Sequence, residues 1–273
     1  MENEASPSPR PIFEAFSPEL VFALDICEQA GRIALASFID GIETVTKEDG
    51  SPVTAADKEC ERIIRQAITS RYPQDGILGE EEGESEGATQ DGKKRKWIVD
   101  PIDGTYGYAR GIPFFSTLVA LEVDGQIVLG VIGAPAMGDM FWAEKGHGAF
   151  KNGMRIDVSD ISELAKSQFS FGGANRILAE GYWPGFSKLI SGTSRQRGFG
   201  DYLGFAYVFE GKAEAHVEVG VKPWDLAPMK ILIEEAGGKY SDLSGGQSIY
   251  TGSCLVTNGQ IHDKWLTTLI SKD

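Results

Sequence analysis

Cysteine is scarce in this chain, and its three copies lie far apart. Cys27, Cys60 and Cys254 show no Cys-x-x-Cys spacing, so they offer no disulfide framework and suit a reducing compartment. Histidine is equally thin: His147, His216 and His262 never cluster, which argues against a zinc site built from nitrogen and sulfur ligands. Basic residues are outnumbered, 26 Lys and Arg against 40 Asp and Glu, for a formal net charge of −14. That balance disfavours nucleic acid as a partner, because phosphate backbones need clustered Lys and Arg. No apolar run approaches membrane-spanning length, and the opening "MENEASPSPRP" lacks the basic-then-apolar pattern of a signal peptide. Nor is there a G-x-x-x-x-G-K-[ST] loop or a glycine fingerprint after a strand, so nucleotide-binding folds lack support. The expectation is a soluble, cytoplasmic protein whose residues 1–16 are disordered.

What is present is an ordinary globular composition, 41% hydrophobic and 24% charged over 273 residues, ample for a well-buried core. Ser17-Pro18 opens a helix in which Leu20, Leu24, Cys27, Ala34 and Phe38 share one face. A polar link, "KEDGSP", leads to Thr54, with Asp57 three residues on. This capping signal predicts a helix through Ile68, ending before Tyr72-Pro73. The stretch "EEEGESEGATQDGKKRK" reads as an exposed loop. Strands are predicted at Trp97–Asp100, Phe115–Val123, Gln126–Ile132 and Met140–Ala143, with hairpin turns at Asp124-Gly125 and Asn152-Gly153.

Beyond about residue 158, strands and helices alternate. Strands are expected at Gln168–Phe171, Ala213–Val219 and Cys254–Thr257. Helices are expected at Arg176–Ile190 (interrupted near Pro184), Tyr202–Glu210, Trp224–Ala236 and His262–Ile270. No linker or repeat divides the chain. Two halves, 17–157 and 158–273, are expected to form one structural unit, an α+β or α/β arrangement of helices layered on sheets with a cleft between.

The chemistry starts at "WIVDPIDGTYGYARG". An apolar run ends at Asp100, Pro101 forbids continuation of the strand, and Asp103 follows. Both carboxylates can reach one place, and the Ile102 carbonyl is freed to act as a neutral ligand. An ordinary acidic turn accounts for "DPID" alone equally well. Gly104-Thr105 shifts the balance, since backbone N–H groups in such a turn bind phosphate oxygens. Carboxylates beside an anion cradle conflict unless a cation lies between them, and hard cations such as magnesium take oxygen ligands. Two further acidic elements can complete a cage. "ILGEEEG" places Glu80, Glu81 and Glu82 after a short strand, with Glu82 the best candidate for a merely solvated charge. Asp225 opens a helix in "VKPWDLAP", where it can serve as a cap instead.

The order GEE, then DPIDGT, then WD before a helix ending in EAGG, resembles the inositol-monophosphatase superfamily of magnesium-dependent phosphatases. "SPVTAAD" (Ser51–Asp57) and "GAFKNG" (Gly148–Gly153) extend the resemblance, which covers about residues 18–270. It implies a layered αβαβα sandwich of the inositol-monophosphatase/fructose-bisphosphatase type, a homodimer, and two to three Mg2+ ions per site, with Mn2+ able to substitute. By the same resemblance, Glu80, Asp100 and the Ile102 carbonyl would hold one ion and Asp100, Asp103 and Asp225 a second. Glu80 would help hold a third. Thr105, supported by Asp57, would activate the attacking water, and the amides of Gly104 and Thr105 would take phosphate oxygens.

Glu218, seven residues before Asp225, matches the position that meets the substrate's organic portion, with an outward-facing strand residue as the alternative reading. In "RQRGFGDYLGFAYVFEG", Asp201 and Tyr202 stand where inositol phosphatases carry small or hydroxyl residues. An acid beside an aromatic suits a cationic, planar group, although Asp201 could instead cap a helix. This stretch, and Arg110-Gly111 within "ARGIPFFSTLVAL", look most similar to the histidinol-phosphate phosphatase subfamily. The resemblance therefore implies hydrolysis of histidinol phosphate, with Asp201, Tyr202, Glu218 and Arg110 as substrate contacts. Inositol 1-phosphate or another small ester is the alternative substrate, and a non-catalytic protein-binding role is a further one. Tyr106 either narrows the cleft mouth or packs.

Overall fold

The computed structural model describes residues 16–41, 44–46 and 52–272. The disorder expected for 1–16 falls outside these, except at Phe16, whose ring meets Phe150 edge-on at 5.5 Å. The link at 47–51 also lies outside.

Helix α1 (Pro18–Asp40) starts as its sequence dictates: Ser17 Oγ accepts from the Leu20 amide at 3.1 Å, with proline in the first turn. A short ribbon, β1 (Thr44–Thr46) with β2 (Pro52–Thr54), leads into α2 (Ala55–Arg71), opened by a reciprocal capping box between Thr54 and Asp57.

A nine-stranded sheet follows. It comprises β3 (Gly76–Gly79), β4 (Gly83–Ser85), β5 (Thr89–Gln90), β6 (Lys93–Asp103), β7 (Ser116–Val123), β8 (Gln126–Ala134), β9 (Asp139–Glu144), β10 (Gly148–Lys151) and β11 (Met154–Ile156). A single-turn helix, α3 (Thr105–Tyr108), sits between β6 and β7. The strand order is β11-β10-β9-β8-β7-β6-β3-β4, with β5 paired to β6. Every pairing is antiparallel except β3 with β6. Asp124-Gly125 and Asn152-Gly153 form two-residue turns with positive φ at both positions (50° and 78°, 48° and 84°), as hairpin twist requires.

The second sheet has five strands, in the order β13 (Arg195–Arg197), β12 (Gln168–Phe171), β14 (Ala215–Val219), β16 (Ser253–Thr257), β15 (Lys239–Ser241). Its helices are α4 (Ala174–Ala179), α5 (Trp183–Gly192), α6 (Asp201–Phe209), α7 (Pro223–Glu235) and α8 (His262–Leu269).

Three apolar clusters define the layers. α1 and α2 pack on one face of the large sheet, through Leu20, Cys27 and Ile64 against Val119, Leu121 and Val131. α6 and α7 fill the space between the sheets, where Phe205, Leu226 and Ile231 meet Leu118, Ile132 and Val256. α5 and α8 cover the outer face of the small sheet, with Phe186 and Trp265 on Phe169 and Val217. This is an αβαβα sandwich. Successive residues of β7 enter opposite clusters, which is why a strand buried on both faces reads as an unbroken apolar run.

Two expectations need correction. The segment read as an exposed loop after Gly79 forms β4, β5 and the start of β6: many of its charged side chains stay exposed or ion-paired while the backbone pairs. The strand ending at Asp100 continues to Asp103 across a bulge. The interruption expected near Pro184 within Arg176–Ile190 is present and separates two helices. The chain breaks at Gly181 (φ 81°), and Pro184 lies in the first turn of α5 rather than at the break.

Gly130 on β8 lets α7 lie close to the sheet. A Cβ there would stand 2.7 Å from both Pro228 Cα and Ile231 Cγ2. Gly130→Ala is expected to cost about 1–3 kcal/mol through overpacking, read as a lowered denaturant midpoint, and to weaken any function that depends on α7. Unchanged stability would contradict this packing account.

Candidate active site

The bulge in β6 is what aims the two aspartates together. Asp100 pairs with Leu118 and Asp103 with Ser116, so three steps on β6 match two on β7. In a regular strand, residues three apart point to opposite faces. The extra residue re-aims one of them. Pro101 sits within this interruption, where its missing N–H costs no ladder bond, and its carbonyl accepts from Thr117 Oγ1 at 2.9 Å. Gly104 then takes φ 83° and turns the chain into α3.

Asp225 arrives from the other half, at the start of α7, where its Oδ2 accepts from the Lys222 amide at 2.7 Å. Cap and ligand are therefore compatible roles, because a second oxygen remains. Oxygens of Asp100, Asp103 and Asp225 lie within 4.8 Å of one another, the one such group among the described residues. Asp100 is 2% exposed and Asp103 6%, and Asp100 Oδ1 is buried with no hydrogen-bond partner. A cluster of like-charged carboxylates, one with a buried oxygen that has no partner, is a donor set a hard divalent cation fits.

Asp103 is held from both halves: its Oδ2 accepts from Ser116 Oγ at 3.1 Å and from the Tyr202 amide at 2.7 Å. Glu80 follows β3 and lines the same cleft, outside the close trio. Its loop is fixed by the buried Glu61, which accepts from the amides of Glu81 (2.7 Å) and Glu82 (2.9 Å) and pairs with Arg65 at 2.7 Å. Gly79 leaves the room for Glu61, since a side chain there would overlap its carboxylate. Thr105 Oγ1 donates to the Ile102 carbonyl at 2.8 Å and lies 3.4 Å from Asp57 Oδ1. Asp57 is itself anchored by the Thr54 amide (2.7 Å) and hydroxyl (2.6 Å).

The cleft has a volume of about 600 Å³ and takes in Glu80, Asp100, Ile102, Asp103, Gly104, Thr105 and Asp225. Asp201 and Glu218 also line it. Asp201 does not cap α6: it adopts φ 54°, a left-handed conformation rare outside glycine, and no side chain caps that helix. Its carboxylate stands 3.2 Å from where a Cβ on Gly104 would be, beside the phosphate-loop candidate. Glu218 is 4% exposed and faces inward, away from the solvent its strand pattern allowed. Tyr202 is placed differently: its ring is buried among core residues, and only its amide serves the site. Arg110 lies outside the cleft lining, 5.4 Å over the ring of Tyr106, which does line it. Sequence reasoning missed Ser116, Glu61, Ser170 and His216. Only His216 left a signal, since spacing of two along a strand puts it on the face of Glu218.

Burial, and then like-charge repulsion from Glu80, Asp103 and Asp225, raises Asp100 well above the usual carboxylate range. Burial and Asp201 do the same to Asp103. Asp225 is pushed up to about 7, chiefly by burial, against the Lys222 amide and with Glu80 adding repulsion. Asp201 is pushed up to about 6, by loss of solvent and then Glu218.

A family model described as the inositol monophosphatase family matches residues 17–272. A histidinol-phosphatase from Chlorobaculum parvum is 39% identical over 88% of this chain and 92% of its own length. Another from Mycobacterium tuberculosis is 38% identical over 92% of this chain and 97% of its own. The solved structure of the extragenic suppressor protein suhB from Bartonella henselae superposes with a TM-score of 0.86 at 31% identity, covering 94% of this chain and 100% of that one. Fold, cleft and relatives together make the protein a phosphomonoesterase. It belongs to the inositol monophosphatase family.

The raised carboxyls set an expected pH response. Unfolded, these aspartates release their protons near pH 4; folded, Asp225 keeps its proton up to about 7. The folded chain therefore binds more protons across that window and loses stability as pH rises through it. Without divalent cations, the denaturation midpoint should fall from pH 5 to pH 8, and Asp225→Asn should flatten the fall. A millimolar divalent cation at pH 8 should restore the wild-type midpoint, and a midpoint indifferent to both pH and cation would contradict the cage.

Proposed function

We propose that the protein is a magnesium-dependent phosphatase of histidinol phosphate. The observation that carries the metal half of this reading is the trio of carboxylates from two halves of the chain, one of which, Asp100, has a buried oxygen with no hydrogen-bond partner. Asp100, Asp103, Asp225 and Glu80 would hold the magnesium. The Ile102 carbonyl would join them through its second lone pair, the first being taken by Thr105. When bound, magnesium supplies charge neutralisation and Lewis acidity at the phosphoryl group.

The chain's own groups do the remaining work. Gly104 and Thr105 present the turn against which phosphate oxygens rest. Thr105 Oγ1 orients a water; as the water oxygen bonds to phosphorus, Oγ1 takes the water's proton while its own hydroxyl proton leaves the Ile102 carbonyl for Asp57 Oδ1, 3.4 Å away. The ester P–O bond breaks, and the departing alkoxide takes a proton from solvent to leave as the alcohol. The halves of the cleft thus divide the task, with phosphate at the β6 loop and the organic portion toward Asp201 and Glu218.

The substrate reading is supported by those two carboxylates, which suit an ammonium or imidazolium better than a neutral polyol, and by relatives named histidinol-phosphatase. The three cysteines are free and buried, which supports a reducing, cytoplasmic setting. No helix of the described residues is long and apolar enough to cross a membrane. A homodimer is the assembly we propose with this reading, on family resemblance.

A substrate panel at saturating magnesium tests the assignment. Histidinol phosphate should give the highest kcat/KM, ahead of inositol 1-phosphate, fructose 1,6-bisphosphate and glycerol 2-phosphate. A higher value for inositol 1-phosphate would select the alternative substrate, and silence across the panel would favour a binding role. Asp201→Asn should raise KM for histidinol phosphate on the order of tenfold and change glycerol 2-phosphate less; equal effects would remove Asp201 from recognition. Thr105→Ala should lower kcat about a hundredfold or more with a smaller change in KM. A change confined to KM would show that Thr105 only binds.

A further inference from the structure

Behind the cleft lie two buried side chains that the hydrolysis does not use. His216 on β14 is 0% exposed, its ring set against Phe205 with 4.3 Å between centroids. Its Nε2 lies 3.2 Å from Glu218 Oε1, and its Nδ1 lies 2.8 Å from Ser170 Oγ on β12. Ser170 Oγ is also 3.1 Å from the Gly204 carbonyl.

The serine hydroxyl has one proton and two acceptors in reach. If it donates to Nδ1, the imidazole carries its proton on Nε2 and donates to Glu218. If it donates to the carbonyl, Nδ1 must be a donor, and the contact between Nε2 and Oε1 still needs a proton between them. Either way, Oε1 of Glu218 is tied to His216. Two glycines close the backbone around the pair. A side chain at Gly172 would overlap the Glu218 carboxylate, and one at Gly204 would overlap the His216 ring. Glu218 thus has one tethered oxygen and a walled-in stem, in a cleft it shares with Asp201, Asp225 and Arg176.

We propose that His216, steadied by Ser170, is a positioning residue that fixes Glu218 as the anionic wall of the cleft and so sets the preference for a phosphate ester bearing a cationic group. This rests on the substrate reading above. A tethered carboxylate loses less freedom when it meets an ammonium, so the benefit falls on charged substrates and hardly on neutral ones.

The test reads one ratio, kcat/KM for histidinol phosphate over that for glycerol 2-phosphate. His216→Ala should lower it on the order of tenfold, through KM for the cationic ester. His216→Gln, whose amide can still donate to Glu218, should recover most of it. Ser170→Ala, which leaves the imidazole in place, should lower the ratio by a smaller factor and serves if the histidine variant fails to fold. A wild type that does not prefer histidinol phosphate defeats the substrate reading, and this inference with it. A wild type that prefers it, with the ratio unchanged in the His216 and Ser170 variants, defeats the inference alone, as does a glutamine variant that loses as much as alanine.

Discussion

Mutual repulsion among buried carboxylates is the constraint around which this molecule is arranged. Asp100, Asp103 and Asp225 converge within 4.8 Å, two of them almost without solvent. Unscreened charges so close are costly. Burial and repulsion together raise the pKa values of all three groups, so the charged cluster is favourable only with positive charge beside it. Such an arrangement persists only if the surrounding structure forces it, and it is useful only if something positive completes it.

The forcing is visible piece by piece. The bulge at Pro101 turns two aspartates toward one side of β6, and Gly104 turns the chain away before it can fill the space. Asp103 is gripped by Ser116 from the large sheet and by the first turn of α6 from the other half. Asp225 rides on α7, whose depth against the sheet depends on the bare face of Gly130. The layers of the sandwich therefore act as calipers. Apolar packing between the sheets sets the separation of the Gly104-Thr105 turn from the wall formed by Asp201 and Glu218, and the cleft is what the packing leaves open.

Much of this was legible in the sequence where local chemistry decides the outcome. Capping residues before α1 and α2, and Asp-Gly and Asn-Gly at the tight turns, each carry their own structural instruction. The acidic motifs meet in one cleft because each lies at the end of an element. Legibility failed where tertiary pairing overrides local preference. The charged stretch that becomes β4, β5 and the start of β6 looks like a loop because its polar side chains hide strands whose pairing is made by the backbone. A proline after Asp100 reads as a strand end, since a bulge is a property of two strands and cannot be seen in one. Supporting residues were hidden for a similar reason. Ser116 and Glu61 are ordinary in type and far from the motifs they hold. Tyr202, read as a substrate contact, contributes through its amide, which no side-chain pattern reports.

The most direct measurement is an anomalous difference map from crystals soaked in Mn2+ and inorganic phosphate. Manganese should appear between Asp100, Asp103 and Asp225, with phosphate density against Gly104 and Thr105. Ordered phosphate with no manganese at that trio, or manganese bound only elsewhere on the acidic surface, would contradict the claim that these carboxylates exist to hold a cation.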